Sequence, residues 1–317
     1  MRLIKTLYHR TTIGHFVIQF VINFRLFIND YFIPDKKYIK SKFKQRMGFP
    51  LNLENPRTLN EKINWLKIFY RTPLHTQCAD KYEVRKFISE KIGQEYLVPL
   101  LYMTKNPKDL IAFNLPEEPF IIKTNHDSGG GVVVKNKLDF DWEEIQKVFS
   151  KRLSRNYYRR GKEWQYKNII PRIIVEKLLS GKDGSLPFDY KLHCFNGKVN
   201  MIQVDIGRFS ENHHRNWYNV SWEREPYRWS SRKGNHYTDP SDEDIEKPRT
   251  LSKMIELSEV IAQEFPYVRV DWYDVEGQLF FGEITFHHDG GYSPIYPSEW
   301  DLKLGDQLNL PMHQYES

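Results

Sequence analysis

The sequence predicts an α+β fold, and two kinds of segment predict it. Helix-length stretches carry apolar residues at three- and four-residue spacing, most clearly at 251–265, LSKMIELSEVIAQEF. Short apolar runs stand in pairs across glycine-containing turns. Phe120–Ile122 and Val132–Val134 flank Gly129-Gly130-Gly131, Lys191–Phe195 and Val199–Val204 flank Asn196-Gly197, and YVRVDWYDV and QLFFGEITF flank Glu276-Gly277. Such pairs read as hairpins.

In chain order, residues 1–50 form a basic, helical extension. Its stretch Gly14 to Phe32 is apolar but contains Gln19, Asn23, Arg25, Asn29 and Asp30, too polar for a spanning helix. With Arg2, Lys5, His9 and Arg10 ahead of it, the stretch suits a helix packed on the body or in a homodimer, or one lying on an anionic membrane surface. Thr58-x-x-Glu61 then reads as a capping box opening a helix with Ile63, Leu66 and Ile68. Asp80-Lys81 opens another, with Val84, Phe87, Ile88 and Ile92 inward and Gly93 as its stop. Tyr96–Pro99 reads as a strand. A helix is expected at Trp142 to Leu153, a buried strand at 172–179, loops over the polar excursion 207–250, and a loop-rich tail after 286.

Length and composition bound the function. The chain has 317 residues, room for two or three lobes, and 15% aromatics exclude disorder. The net charge of +6 is spread along the chain and suits an anionic substrate or a membrane-proximal surface. The basic aromatic stretch RNYYRRGKEWQYKN (155–168) reads as a solvated segment facing an anionic substrate; with no RRM, KH or zinc signature beside it, nucleic acid is not the expected partner. Cys78 and Cys194 form no metal pattern and fit a reducing cytosol. The histidines have no zinc-site spacing, and Ser128 lies in no G-x-S-x-G elbow.

Two stretches carry candidate chemistry. In PFIIKTNHDSGGGVVV (119–134), Lys123 precedes Ser128, Gly129, Gly130 and Gly131. Glycines let backbone N–H groups approach a phosphate, and a lysine adds a point charge. A plain hairpin with a flexible tip fits the same residues. Further on, Glu283 and Thr285 are two apart on one strand, and Asp271 can oppose Glu283 across the turn. Two carboxylates on one sheet face need a positive charge between them. Magnesium bridging nucleotide phosphates would supply it, and so would a salt bridge to Arg269.

Together these parts resemble the ATP-grasp ligases, and within them the TupA-like branch associated with teichuronopeptide and surface-polysaccharide biosynthesis. The resemblance runs from about 45 to 305 and rests on LNLENPRTLNEKINWLK, DKYEVRKFISEKIGQEYLVPLL, FIIKTNHDSGGGVVVK, PFDYKLHCFNGKV and VRVDWYDVEGQLFFGEITFHHDGGY in that order. It implies an ATP-grasp fold, with the nucleotide held between two α+β lobes. The expected divisions are the extension 1–50, an N-terminal lobe 51–115, a lid 116–180 and a C-terminal lobe 181–317.

The resemblance also implies roles. Lys81, Lys123 and the loop Ser128–Gly131 would hold ATP phosphates, and Glu176, Lys177 and Leu178 would form the adenine hinge. Asn216 would also contact the nucleotide. Lys191 would neutralise the γ-phosphate, with Arg208 beside the reacting groups and Arg269 steadying the tetrahedral intermediate. Asp271, Glu283 and Thr285 would hold magnesium, two ions in the usual family pattern; Thr285 stands where asparagine is common. Asp189, His287, Gly290 and Gly291 would face the acceptor. The implied reaction joins a small amine to a carboxylate, a uronic acid in this branch, through an acylphosphate, in the cytoplasm or at the inner face of the plasma membrane. A sugar kinase or a glycosyltransferase of the same biosynthesis is the competing reading.

Overall fold

A computed structural model describes residues 32–207, 213–230 and 238–312. The stretch Gly14 to Phe32, apart from its last residue, lies outside these, as do Arg208 and residues 231–237.

Helix α1 (Asp35–Met47) buries Ile39 and Phe43 and ends on Gly48 at φ 86°. Helix α2 (Leu59–Phe69) starts on the capping box foreseen in the sequence: Thr58 accepts from Glu61 N–H, and the Glu61 carboxylate accepts from Thr58 N–H at 3.1 Å. Helix α3 spans Pro73–Ala79 and α4 Val84–Lys91. α4 begins three residues after Lys81, because Asp80 Oδ1 first accepts from the N–H groups of Tyr82 (2.8 Å) and Glu83 (3.3 Å).

The first sheet has four antiparallel strands, ordered β1-β4-β2-β3. They are β1 (Leu100–Thr104), β2 (Phe120–Thr124), β3 (Val132–Val134) and, after α5 (Trp142–Leu153) and the single turn α6 (Tyr158–Gly161), β4 (Ile173–Lys177). The strand expected at Tyr96–Pro99 is displaced to β1: Gln94–Tyr96 form a 3₁₀ turn, and Pro99 has no N–H to give a ladder. β1 pairs with β4, so the expected 115/116 division falls between strands of one sheet. Phe120, Ile122, Val134, Ile173 and Val175 pack with Phe149 of α5 beneath it.

The second sheet has five antiparallel strands, ordered β10-β9-β5-β6-β7. β5 (Asp189–Phe195) and β6 (Lys198–Ile206) turn at Asn196 (φ 48°) and Gly197 (φ 81°). β7 (His214–Tyr218) and the short β8 (Arg228–Trp229) fall inside the excursion expected to be loops, where the alternation is hidden among polar residues. After α7 (Leu251–Ala262) come β9 (Tyr267–Val275) and β10 (Gln278–Thr285), joined at Glu276 (φ 52°) and Gly277 (φ 92°). α7 packs Met254, Leu257 and Ile261 on one face of this sheet, and Trp272 Nε1 donates to Ser258 Oγ at 2.8 Å. The tail holds β11 (Ile295–Tyr296), paired with β8, and α8 (Glu299–Gln307). α8 docks on α2, where Asp301 accepts two 3.0 Å bonds from Asn60. This helix escaped the sequence reading because its apolar content is low and its burial comes from a distant partner. Among the described residues no helix is long and apolar enough to cross a membrane.

Candidate active site

The face of the five-stranded sheet opposite α7 carries a ladder of charge. Antiparallel register sets Lys191 beside Asp271, Asp189 beside Asp205, and Asp205 beside Arg215. Lys191, 3% exposed, reaches Asp271 Oδ2 at 3.1 Å, contacts Asp189 Oδ2, and lies 4.0 Å from Asp205 Oδ2. Arg269 grips Asp271 and extends to Glu283 Oε1 at 3.0 Å. Arg215 Nε bonds Asp205 Oδ1 at 2.8 Å. Burial alone would push Asp205 up, but the His213 hydrogen bond and the charges of Arg215 and Lys191 hold it far below the usual carboxylate range. Burial likewise opposes the charge on Arg269, and Asp271 and Glu283 more than offset it.

Asp271 and Glu283 meet because of a bulge. The β9–β10 register shifts between Phe281 and Ile284, so Gly282 and Glu283 together oppose Asp271. A Cβ on Gly282 would lie 3.1 Å from Asp271 O and 3.3 Å from Asp271 Cβ, which is why glycine stands there. Thr285 Oγ1 lies 3.4 Å from Glu283 Oε1, on the same side. Asp271, Glu283 and Thr285 are therefore a hard-oxygen donor set of the kind magnesium takes. On this face Lys191, Arg215 and Arg269 meet four carboxylates, Asp189, Asp205, Asp271 and Glu283, so a further cation fits the charge as well.

The four-stranded sheet faces this ladder with its own cations. Lys123 on β2 pairs with Glu176 on β4, whose other oxygen lies 3.5 Å from Arg85. Lys81 donates to Asp127 O. Burial lowers the Lys81 pKa, against the opposing fields of Glu283 and Asp127, and it also senses Lys123 and Glu176. Lys81, held at the Asp127 carbonyl, thus lies within the fields of Glu283 of one sheet and of Lys123 and Glu176 of the other.

Between β2 and β3, Ser128 to Gly131 form an exposed loop. Gly129 and Gly130 both have φ 75°, a region costly for other residues. Arg152, from α5, holds this loop. Its guanidinium bonds Asp127 Oδ2 at 2.7 and 3.1 Å, Gly129 O at 2.6 Å, and Gly130 O. No sequence motif pointed to Arg152; its spacing from the loop has meaning only once α5 folds back.

The acceptor-side residues stand at the end of β10. Asp289 (φ 46°), Gly290 (φ 67°) and Gly291 (φ 68°) make a left-handed turn. Helix α2 clamps it: Lys67 Nζ donates to Gly290 O, and Asn64 Nδ2 to Gly291 O at 2.7 Å. His287 is buried against Gln165 (3.2 Å) and Glu163 (3.6 Å). His288 Nδ1 lies 3.0 Å from Arg269 Nη1, tying the turn to the ladder.

One expected residue lies apart from the cluster, and the expected hinge keeps its carbonyls alone. Asn216 is not brought into the cluster: the pleat puts its neighbour Arg215 there instead. The Asn216 amide is buried among Glu243 O (3.0 Å), the Ser241 N–H (2.8 Å) and Arg224 (3.0 Å). At the expected hinge, Lys177 N–H donates to Pro99 O and Leu178 N–H to Pro119 O, both at 3.0 Å. A base read there has their carbonyls to use, because both N–H groups are taken.

A model of the family described as TupA-like ATPgrasp matches residues 61–309. The chain belongs to this family. No curated protein matches the sequence. Among solved structures, the TupA-like chain is similar to D-alanine–D-alanine ligase from Bacillus anthracis complexed with ATP, at 19% identity and TM-score 0.38, over 66% of this chain and 55% of that one. It is also similar to L-amino acid ligase from Bacillus licheniformis, at 15% identity and TM-score 0.42, over 90% and 63%. D-alanine–D-alanine ligase from Helicobacter pylori follows at 16% identity and TM-score 0.38, over 79% and 69%. The chain spans little more than half the length of the first of these.

Proposed function

We propose that this TupA-like protein is an ATP-dependent carboxylate–amine ligase that forms an amide through an acylphosphate. The observation that carries the reading is Lys81, bound to the Asp127 carbonyl beside the glycine loop and within the fields of both Glu283 of the acidic ladder and the Lys123–Glu176 pair of the opposite sheet. A polyphosphate needs cations on one side and a cation-holding acidic face on the other, and this cleft provides both.

In this reading Lys81 and Lys123 bind the ATP phosphates under the Ser128–Gly131 loop, whose backbone Arg152 shapes. Lys191 lies along the transferred phosphoryl group and Arg269 holds the oxyanion that forms when the amine attacks. Magnesium bound by Asp271, Glu283 and Thr285 would supply charge neutralisation for the phosphates. The carboxylate is activated because at neutral pH it is a poor electrophile, and the closed loop keeps water from the acylphosphate. Arg208 would join these groups from outside the described residues.

The acceptor we propose is a uronic acid of a surface glycan or its precursor, and the amine an amino acid or amino alcohol. The basic and aromatic residues of 155–168, a segment whose Gln165 and Glu163 contact His287 just ahead of the Asp289–Gly291 turn, support an anionic sugar. The test is a mass-spectrometric screen with ATP, magnesium, uronic acids and a panel of amines. The reading requires an amide product with one ADP and one phosphate released. A phosphorylated sugar as the end product would support the kinase reading instead.

A further inference from the structure

The motif LNEKINWLK ends in a buried lysine that has no part in the phosphate cleft. Lys67 is fully buried, and its Nζ lies 4.1 Å from the centre of the Tyr292 ring. A second ammonium, Lys42 of α1, lies 4.9 Å from the same ring. A third, Lys162, is 1% exposed and sits 5.0 Å from the Tyr158 ring and 5.9 Å from that of Tyr38. Like charges gathered around aromatic rings repel unless an anion lies among them.

The carboxylates nearby are already engaged. Asp35 accepts from Tyr158 OH at 2.5 Å and from Arg71 at 3.2 Å, and lies 3.9 Å from Lys162. Glu163 is shared between Gln165 (3.4 Å) and His287 (3.6 Å), and its field reaches both Lys42 and Lys67 without a direct contact to either. Among the described residues neither Lys42 nor Lys67 has a carboxylate within salt-bridge distance. Lys42 donates to Arg160 O at 3.3 Å, and Lys67 to Asn64 Oδ1 at 2.9 Å and to Gly290 O.

A second observation points to a ligand. The Tyr292 hydroxyl belongs to a residue only 8% exposed, and among the described residues it has no hydrogen-bond partner. The Tyr292 ring is the one that both ammonium groups approach, so the hydroxyl belongs to the same cluster. A buried hydroxyl without a partner costs about 1–3 kcal/mol, which a bound oxyanion accepting its proton would recover.

We propose that Lys42, Lys67 and Tyr292 form an anion subsite behind the Asp289–Gly291 turn, which takes a carboxylate or phosphate group of the acceptor away from the reacting carboxylate. Half-buried Lys42 is the mouth and buried Lys67 the floor. Lys67 has a second task, since the same ammonium fixes the Gly290 carbonyl; filling the subsite and positioning the turn are thereby linked. The proposal rests on reading that turn as acceptor-facing, and on nothing about ATP.

Calorimetric titration at constant ionic strength tests it on the full chain, with inorganic phosphate and glucuronate as separate probes. One of them binds the wild type, and the stronger names the source of the anion. Lys42→Ala and Lys67→Met each weaken it at least tenfold, with unchanged circular dichroism, while Lys198→Ala, at an exposed lysine outside both sites, binds it as the wild type does. Lys42→Ala, on the half-buried helix, keeps the test valid if Lys67→Met fails to fold. Binding of neither probe, an adventitious response unchanged in Lys42→Ala, or an equal loss in Lys198→Ala overturns the subsite. Nucleotide binding, measured separately, decides the ligase reading independently.

Discussion

The Arg269 guanidinium grips the Asp271 carboxylate with two parallel bonds, Nε to Oδ1 and Nη2 to Oδ2, both 2.7 Å. This fork is the centre of the ladder, because Nη2 also reaches Glu283 and Asp271 also reaches Lys191. Breaking a buried pair on one side strands the other charge, at about 3–5 kcal/mol. Arg269→Met is therefore expected to lower the urea-unfolding free energy by about 3 kcal/mol. Adding Glu283→Gln is expected to recover part of that loss, so the two effects do not add. Strictly additive losses would mean the bridge carries no coupling.

Arg152 makes four contacts to Asp127 and to the glycine carbonyls. Arg152→Ala frees the loop without touching the ladder. The expected result is KM for ATP raised about tenfold, near the 1.4 kcal/mol of one charged hydrogen bond, with kcat changed much less. Faster proteolytic nicking at 128–131 is the accompanying sign. An unchanged KM contradicts the holding role.

Gly291 has φ 68°, and an added Cβ would lie 2.5 Å from Asn64 Nδ2 and 3.1 Å from Ile63 Cγ2. Both neighbours are buried on α2 and cannot withdraw freely. Gly291→Ala is expected to destabilise by about 1–3 kcal/mol, as overpacking does. Turnover is expected to fall as well, since the turn carries His288 to Arg269. Wild-type melting and turnover would show that the turn tolerates movement.

Burial pushes the Lys67 pKa down to about 7, against the field of Glu163, and Lys42 lowers it further. An unfolded lysine titrates near 10.4. Between these values the unfolded chain binds more protons, so this group makes stability rise with pH; below pH 7 its penalty is complete. The Lys67→Met variant loses this contribution. Denaturant midpoints from pH 6.5 to 10 are expected to climb more steeply in wild type than in the variant, by up to about 1.4 kcal/mol per pH unit. Parallel profiles contradict the assignment.

Local chemistry was legible in the sequence where one turn of chain carried it. Thr58 and Glu61 announced their helix, and Asn196-Gly197 and Glu276-Gly277 their hairpins. The carboxylates Asp271 and Glu283 were readable as a pair, although the bulge at Gly282 that joins them was not. Asn216 lies apart from the cluster because strand alternation swaps faces at each residue: being one position off exchanges Arg215 for a buried amide. Asp205, Arg152 and Lys67 were missed for a different reason. Each acts on a group distant in the chain, and nothing in its own neighbourhood signals the partner.

Isotope transfer tests the central claim most directly. The uronic acid accepted in the product screen is supplied with its carboxylate labelled in ¹⁸O, together with ATP, magnesium and the amine. An acylphosphate route breaks a carboxylate C–O bond, so one labelled oxygen leaves in the inorganic phosphate and one stays in the amide. The account predicts this one-to-one transfer in wild type, and no transfer in Lys123→Ala or Glu283→Gln that keep the native fold. Phosphate free of label while product forms, or wild-type transfer in either variant, contradicts it.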